Sequence, residues 1–211
     1  MKLHQNPLSS NSRKVLILAE LLGIAYEPIL VDLASREDRA RLAKVNPNCK
    51  VPVLEDGDFV LWESNAILQY LCDKTQGGDR YYPRDLRPRV EVQRWLSWAG
   101  QHWAQAIGGI TFERLWKKFV TGQGPDAEQV ARHEEELHAY ARVLDGHLAD
   151  RTFVVGDSLT LADIVVATPL DYTVPAQLPV EPYANIRRWL AGLVALPAWK
   201  KTAPPPIPRA A

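Results

Sequence analysis

The sequence predicts an α/β unit followed by an all-helical bundle. Three observations predict it: residues 1–75 alternate short β-like runs with helical patterns, residues 75–88 shift in composition to Gly, Asp, Tyr, Pro and Arg, and beyond them apolar residues keep helical spacing. Residues 1–4 read as a first strand. Residues 12–23 read as a helix with Val15, Leu16, Leu18, Ala19 and Leu22 on its buried side, closed by a left-handed Gly23. Residues 26–31 are a second strand. Residues 36–45 form a charged, weakly amphipathic helix that Asn46-Pro47 ends, because the residue before a proline avoids helical backbone angles. Two apolar runs, 51–54 and 58–61, flank Glu55-Asp56-Gly57, a hairpin loop with glycine where positive φ is needed. Residues 63–74 return to helical spacing through Ala66, Ile67, Tyr70 and Leu71. The order βαβαββα with an antiparallel last hairpin is that of a thioredoxin-like domain over residues 1–75. A linker over residues 76–88 leads from it to an all-helical C-terminal domain over residues 89–211.

In the second half only residues 153–155 read as a strand. Residues 89–119 are a long helical stretch bent at Gly108-Gly109, and residues 126–148 another with an acidic face at Glu134-Glu135-Glu136. Residues 161–170 and 183–196 add two more, which together make a bundle. Thr160-Leu161-Ala162-Asp163 has the spacing of a capping box, with Leu159 and Ile164 placed as its hydrophobic staple, and this is a folding element. The proline-rich residues 204–208 read as a C-terminal arm on the surface, with a ligand for a proline-recognition domain as the alternative.

At 211 residues the chain can hold two modest cores. Lys and Arg number 25 and Asp and Glu 25, so no net field and no basic block recruits a polyanion, which argues against nucleic acid as a partner. The apolar run after Arg13-Lys14 is broken by Glu20 and has no cleavage signal behind it, and no stretch approaches the ~20 apolar residues of a membrane span. The expectation is a cytoplasmic protein, with which the two cysteines, Cys49 and Cys72, agree. The five histidines show no metal-ligand spacing, so no metal is expected.

Two segments carry candidate chemistry. In Asn46-Pro47-Asn48-Cys49-Lys50-Val51-Pro52-Val53-Leu54, a proline one residue into a strand belongs at an edge or in a cis bond. Val51 can then offer its N–H and C=O to an extended ligand as one strand offers them to another; an ordinary loop proline is the alternative. In Trp62-Glu63-Ser64-Asn65-Ala66-Ile67, Ser64 opens a helix, where free N–H groups and the helix dipole favour an anion. A bare Glu-Ser in that place is commonly just a cap; its position directly after the hairpin favours the ligand reading.

With Thr160-Leu161-Ala162-Asp163 in the helical half, these segments resemble the cytosolic glutathione transferases, and the resemblance spans nearly the whole chain. It implies that Val51 and Pro52 pair with the cysteinyl backbone of glutathione, that Glu63 and Ser64 hold its γ-glutamyl end, and that Lys50 lies near its glycyl carboxylate. The turn before the first helix, residues 7–13, lacks tyrosine and cysteine, so it resembles the serine-type, theta- or phi-like classes. Ser9 is then the activating residue, with Ser10 as rival and Asn11 as auxiliary donor, while Ser12 is expected to cap the helix. Ser9 would donate its O–H to the glutathione sulfur and raise the fraction of thiolate, the nucleophile. The chain departs from the family at Cys49, where glycine is familiar; a packing change is the expectation, and a second thiol at the rim of the site the alternative. The implied reaction is conjugation of glutathione, as co-substrate, to a small hydrophobic electrophile, as in detoxification. Competing readings are a glutathione-dependent disulfide or peroxide reductase and a non-catalytic ligand-binding or regulatory protein on the same fold. Trp98, Gln101, His102 and Gln105 share one helical face by spacing and are the candidate electrophile pocket, expected between the domains; packing on a helix or a partner subunit is the alternative for that face. A homodimer is implied by the resemblance alone.

Overall fold

The structure, a computed structural model, describes residues 1–207 and divides into two compact units. One comprises Met1–Pro83 with Pro197–Pro205, and the other is built on Arg84–Leu196. The segment 197–205, counted with the helical half by sequence, clusters with the first unit: Arg13 is buried and donates from Nε to Thr202 O at 3.0 Å and from its terminal nitrogen to Trp199 O at 3.0 Å. Pro208 lies outside the described residues.

The first unit runs β1 (Lys2–Gln5), α1 (Ser10–Leu22), β2 (Glu27–Leu30), α2 (Arg36–Leu42), β3 (Val53–Asp56), β4 (Phe59–Trp62) and α3 (Ser64–Lys74). The sheet order is β2-β1-β3-β4, with β1 parallel to β2 and antiparallel to β3, and β3 antiparallel to β4. Because side chains alternate along a strand, Val53 and Leu54 serve opposite faces. Val53 joins Val31, Leu42 and Val51 in one core, with Val45 against it. Leu54 joins Leu3, Val15, Ala19 and Leu71 in the other. Burial along α1 is broader than a single stripe: Ile17 is fully buried, whereas Leu16 and Leu22 are only half-buried. Gly23 does close α1 at φ 64°, donating its N–H back to Glu20 O.

The second unit contains α4 (Leu86–Trp98), α5 (Ala104–Thr111), α6 (Lys117–Thr121), α7 (Ala127–His147), α8 (Leu161–Ala167) and α9 (Ala184–Val194), while α10 (Pro197–Lys201) belongs to the first. The expected break at Gly108-Gly109 is elsewhere: π-helical turns at Ala99–Trp103 and Phe112–Trp116 interrupt the run on either side of α5. Gly109 instead permits close approach, since a Cβ there would fall on the His133 ring of α7. Residues 153–155 form no strand. Helix α8 is buried on every side, and Trp103 donates its indole N–H to Val166 O at 3.0 Å. The capping box is formed. Asp163 accepts from Thr160 N at 2.9 Å, Val154 N at 2.8 Å and Trp189 Nε1 at 2.9 Å, with Leu159 and Ile164 buried around it. Among the described residues no helix is long and apolar enough to cross a membrane.

Candidate active site

The turn after β1 places Ser9, not Ser12, at the helix N-cap. Ser9 is extended at φ −87° and ψ 116°, and its Oγ accepts the Ser12 N–H at 3.2 Å. Helix α1 therefore starts two residues earlier than expected, and Ser12 is fully buried with its Oγ accepting the Asn6 N–H at 3.3 Å. The cap spends a lone pair of Ser9 Oγ, and its O–H has no acceptor among the described residues. A half-buried hydroxyl at a helix N-terminus, oriented by its cap and with its proton unspent, is suited to donate to an anion. Ser10, the rival, is the first helical residue and half-buried, with no cap bond holding its side chain.

Helix α3 presents a second N-terminus to the same place. Its N-cap is Glu63, at φ 73° and exposed, and the Glu63 side chain makes no cap bond to the first turn. Ser64, 9% exposed, donates from Oγ toward Asn11 Oδ1 at 3.5 Å, which brings the turn before α1 to the start of α3 across 53 residues of sequence. Asn11 Oδ1 also accepts from Lys14 Nζ at 2.7 Å. Lys14 is 4% exposed, and burial drives its ammonium down to about 8, with the nearby Glu63 charge pulling the other way.

Val51 is 8% exposed and joined to Pro52 by a cis bond. Its N–H and C=O have no hydrogen-bond partner among the described residues, because the ladder of β3 begins only at Val53. The loop before it is held by Asn46, buried to 3%, which donates from Nδ2 to Lys50 O at 2.8 Å and accepts the Asn48 N–H at 3.0 Å. Cys49 stands at φ 51°, in the left-handed region that glycine occupies without strain; among the described residues its Sγ reaches only Arg39 O, at 4.0 Å. Lys50 is exposed and carries no ion pair among the described residues. Cys72 is in the core at 2% exposure.

The structure thus joins Asn11 to Ser64 within one unit, and leaves the Ser9 O–H and the Val51 N–H and C=O without partners among the described residues. Sequence reasoning missed Asn46, read only as a helix end, and Lys14, read only as a charge before an apolar run. The pairing of a lysine with an asparagine one turn earlier was the available signal for the second.

The four helical candidates are treated differently by the second unit. The π turn falls between them, so 3.6-residue spacing does not hold across the set. Trp98 is half-buried against Trp95, Trp103 and Tyr140, with centroids 5.0, 5.8 and 6.1 Å away. His102 is exposed with its ring 5.2 Å from Tyr140, Gln105 is exposed and donates to Gly100 O at 3.2 Å, and Gln101 is exposed. Beside Trp98 lies a cleft of about 380 Å³ lined by Arg94, Trp95, Val143 and His147. Among the described residues no three His, Cys, Asp or Glu side chains gather as a metal site requires.

A thioredoxin-like sheet with an uncapped helix N-terminus beside an unpaired strand-entry backbone, followed by an all-helical unit, defines the class of protein. Residues 8–74 match the family model of the glutathione S-transferase N-terminal domain and residues 105–197 that of the C-terminal domain. The chain is 32% identical to glutathione S-transferase theta-2 of Rattus norvegicus over 95% of its length and 79% of that protein's. It is 30% identical to the probable glutathione S-transferase GSTF2 of Oryza sativa over 96% and 95%. Among solved structures, the apo form of human glutathione S-transferase T1-1 superposes with a TM-score of 0.84 at 30% identity, covering 95% of this chain and 85% of that one. The chain belongs to the cytosolic glutathione S-transferase family.

Proposed function

We propose that the protein is a glutathione transferase in which Ser9 activates the glutathione thiol for attack on a small apolar electrophile. The observation that carries the reading is the Ser9 hydroxyl, fixed by capping Ser12 yet free to donate. Val51 supplies N–H and C=O to the cysteinyl backbone of glutathione, with Pro52 shaping that entry. Ser64, Glu63 and the open first turn of α3 receive the γ-glutamyl end, and Lys50 meets the glycyl carboxylate. The thiol gives its proton to solvent water, and the thiolate held at Ser9 is the nucleophile; its electron pair forms the new sulfur–carbon bond while the electrophile's leaving group departs with the pair of the bond that breaks. Ser9 stays a hydrogen-bond donor throughout, so no histidine base is required.

For the electrophile side we retain the exposed Gln101, His102 and Gln105, whereas the contacts of Trp98 with Trp95, Trp103 and Tyr140 account for it as packing. We further propose a homodimer. Leu86 and Val90, four residues apart on α4, are 76% and 55% exposed, and Val143, which lines the cleft with Arg94 of the same helix, is 54% exposed; these apolar side chains suit a second copy.

The decisive experiment is retention on immobilised glutathione together with conjugation of a chloronitroaromatic. Absence of binding sinks the proposal, and binding with turnover of disulfides or peroxides alone replaces conjugation by reduction. For the dimer, Val143→Asp should shift the mass by light scattering to that of one chain; a wild-type protein already monomeric refutes it.

A further inference from the structure

Lys14 is an anomaly for a structural residue. A buried ammonium is costly unless paired, by several kcal/mol in typical cases, and Lys14 makes no ion pair among the described residues. It has three donors, and its only protein acceptor among the described residues is Asn11 Oδ1 at 2.7 Å. It sits in the first two turns of α1, five residues from Ser9, and Asn11 Oδ1 is itself the atom that Ser64 Oγ approaches at 3.5 Å. The charge therefore lies under the junction of the two helix N-termini, where each helix dipole already favours a negative ligand. A buried cation with no ion pair among the described residues, offset only in part by the Glu63 charge, is further stabilised when an anion arrives from outside the chain.

The effect on Asn11 is equally definite. With Oδ1 engaged by Lys14 and near Ser64, the planar amide must turn its NH2 group away from both. Asn11 is exposed, and its Nδ2 has no partner among the described residues. Without the lysine, nothing in this set distinguishes the two orientations of the amide.

We propose that Lys14 is a positioning residue for bound glutathione: it locks Asn11 with its NH2 toward the ligand and places a buried positive charge beneath the thiolate and the γ-glutamyl end. The proposal rests on the glutathione reading of Ser9, Val51 and Ser64. The Lys14 ammonium, driven down by burial and drawn back by Glu63, becomes easier to keep charged once an anionic ligand sits above it.

The test measures the thiol pKa of enzyme-bound glutathione, by ultraviolet absorbance of the thiolate against pH, and the glutathione dissociation constant. The proteins are wild type, Lys14→Met, Asn11→Ala and the double variant. Lys14→Met should raise the bound thiol pKa by roughly one unit and weaken glutathione about tenfold. It should melt no lower than wild type, because a buried unpaired charge has been removed. Asn11→Ala should reproduce part of the affinity loss, and the double variant should lose less than the two singles combined, since both act through one amide. Wild-type thiol pKa and affinity in a folded Lys14→Met overturn the proposal. Should Lys14→Met fail to fold, wild-type behaviour of Asn11→Ala overturns it equally. A wild-type protein that does not bind glutathione defeats the underlying reading instead, so the two failures are distinct.

Discussion

Ser9 Oγ accepts the N–H of Ser12 at 3.2 Å, so one hydroxyl both starts helix α1 and stands ready at its N-terminus. The two roles separate by substitution. Ser9→Ala should cost about 1 kcal/mol of stability through the lost cap, and Ser9→Gly only a few tenths, because glycine is tolerated at that position. Both should lower kcat for conjugation roughly a hundredfold, the scale of losing one donor to a developing or held anion. Steady-state kinetics and urea titration on the pair decide: a Ser9→Gly enzyme with wild-type kcat moves the role to Ser10, to be checked by Ser10→Ala.

Asn46 reaches the site through the backbone. Its buried amide holds Lys50 O and Asn48 N, and so fixes the loop that delivers Val51 with its N–H and C=O unpaired. Asn46→Ala should destabilise by about 1 kcal/mol, since a part-buried carbonyl and a part-buried amide lose their partner. It should raise KM for glutathione several-fold while kcat at saturation changes little, because Ser9 is untouched. A variant with lower kcat and unchanged KM would contradict this placement.

Much of the fold was legible because its signals are local. Gly57 turns the β3–β4 hairpin at φ 67° as expected, although Glu55 and Asp56, read as part of the loop, pair within β3 and leave Gly57-Asp58 as the turn; Gly23 ends α1, and the spacing of Thr160 and Asp163 gives the capping box without reference to anything distant. The cap of α1 was displaced from Ser12 to Ser9 because the turn offers serines at 9, 10 and 12, each chemically competent to cap. Only packing, which buries Ser12 completely, chooses among them. Lys14 was illegible for a related reason: beside Arg13 it looks like a solvated charge, and its burial arises only once distant elements such as α3 and α10 pack on α1. The shared face of Trp98, Gln101, His102 and Gln105 assumed 3.6 residues per turn throughout. The π turn at Ala99–Trp103 inserts a wider step that apolar spacing does not announce.

Asp163 ties three segments of the second unit together. It is fully buried and accepts from Val154 N, Thr160 N and Trp189 Nε1; burial pushes its carboxyl up, against the pull of those donors. Asp163→Ala would strand all three N–H groups in the core and should cost roughly 3–5 kcal/mol, the range for removing one partner of a buried charged network. Asp163→Asn keeps an acceptor oxygen and should cost less. Equilibrium unfolding of both variants checks this, and a loss under 1 kcal/mol for Asp163→Ala, within about the ±0.5 kcal/mol of ordinary surface changes, would show that the network contributes little.

Lys14 gives the protein a stability that rises with pH in a defined window. Burial lowers its folded value from 10.5 to about 8, so between these limits the unfolded chain binds a proton that the folded chain does not. Stability then increases as pH climbs through the window, and the cost of holding the charged form, ~3 kcal/mol for a shift of this size, is carried below it. Lys14→Met has no such cost at any pH. In urea titrations without glutathione, the variant should therefore be more stable than wild type at neutral pH, and the difference should shrink steadily from about pH 8 toward 10.5. Saturating glutathione should favour the charged ammonium and shift the window upward in the wild type alone. A difference between the two proteins that stays constant across the window would show that Lys14 titrates as an ordinary surface lysine.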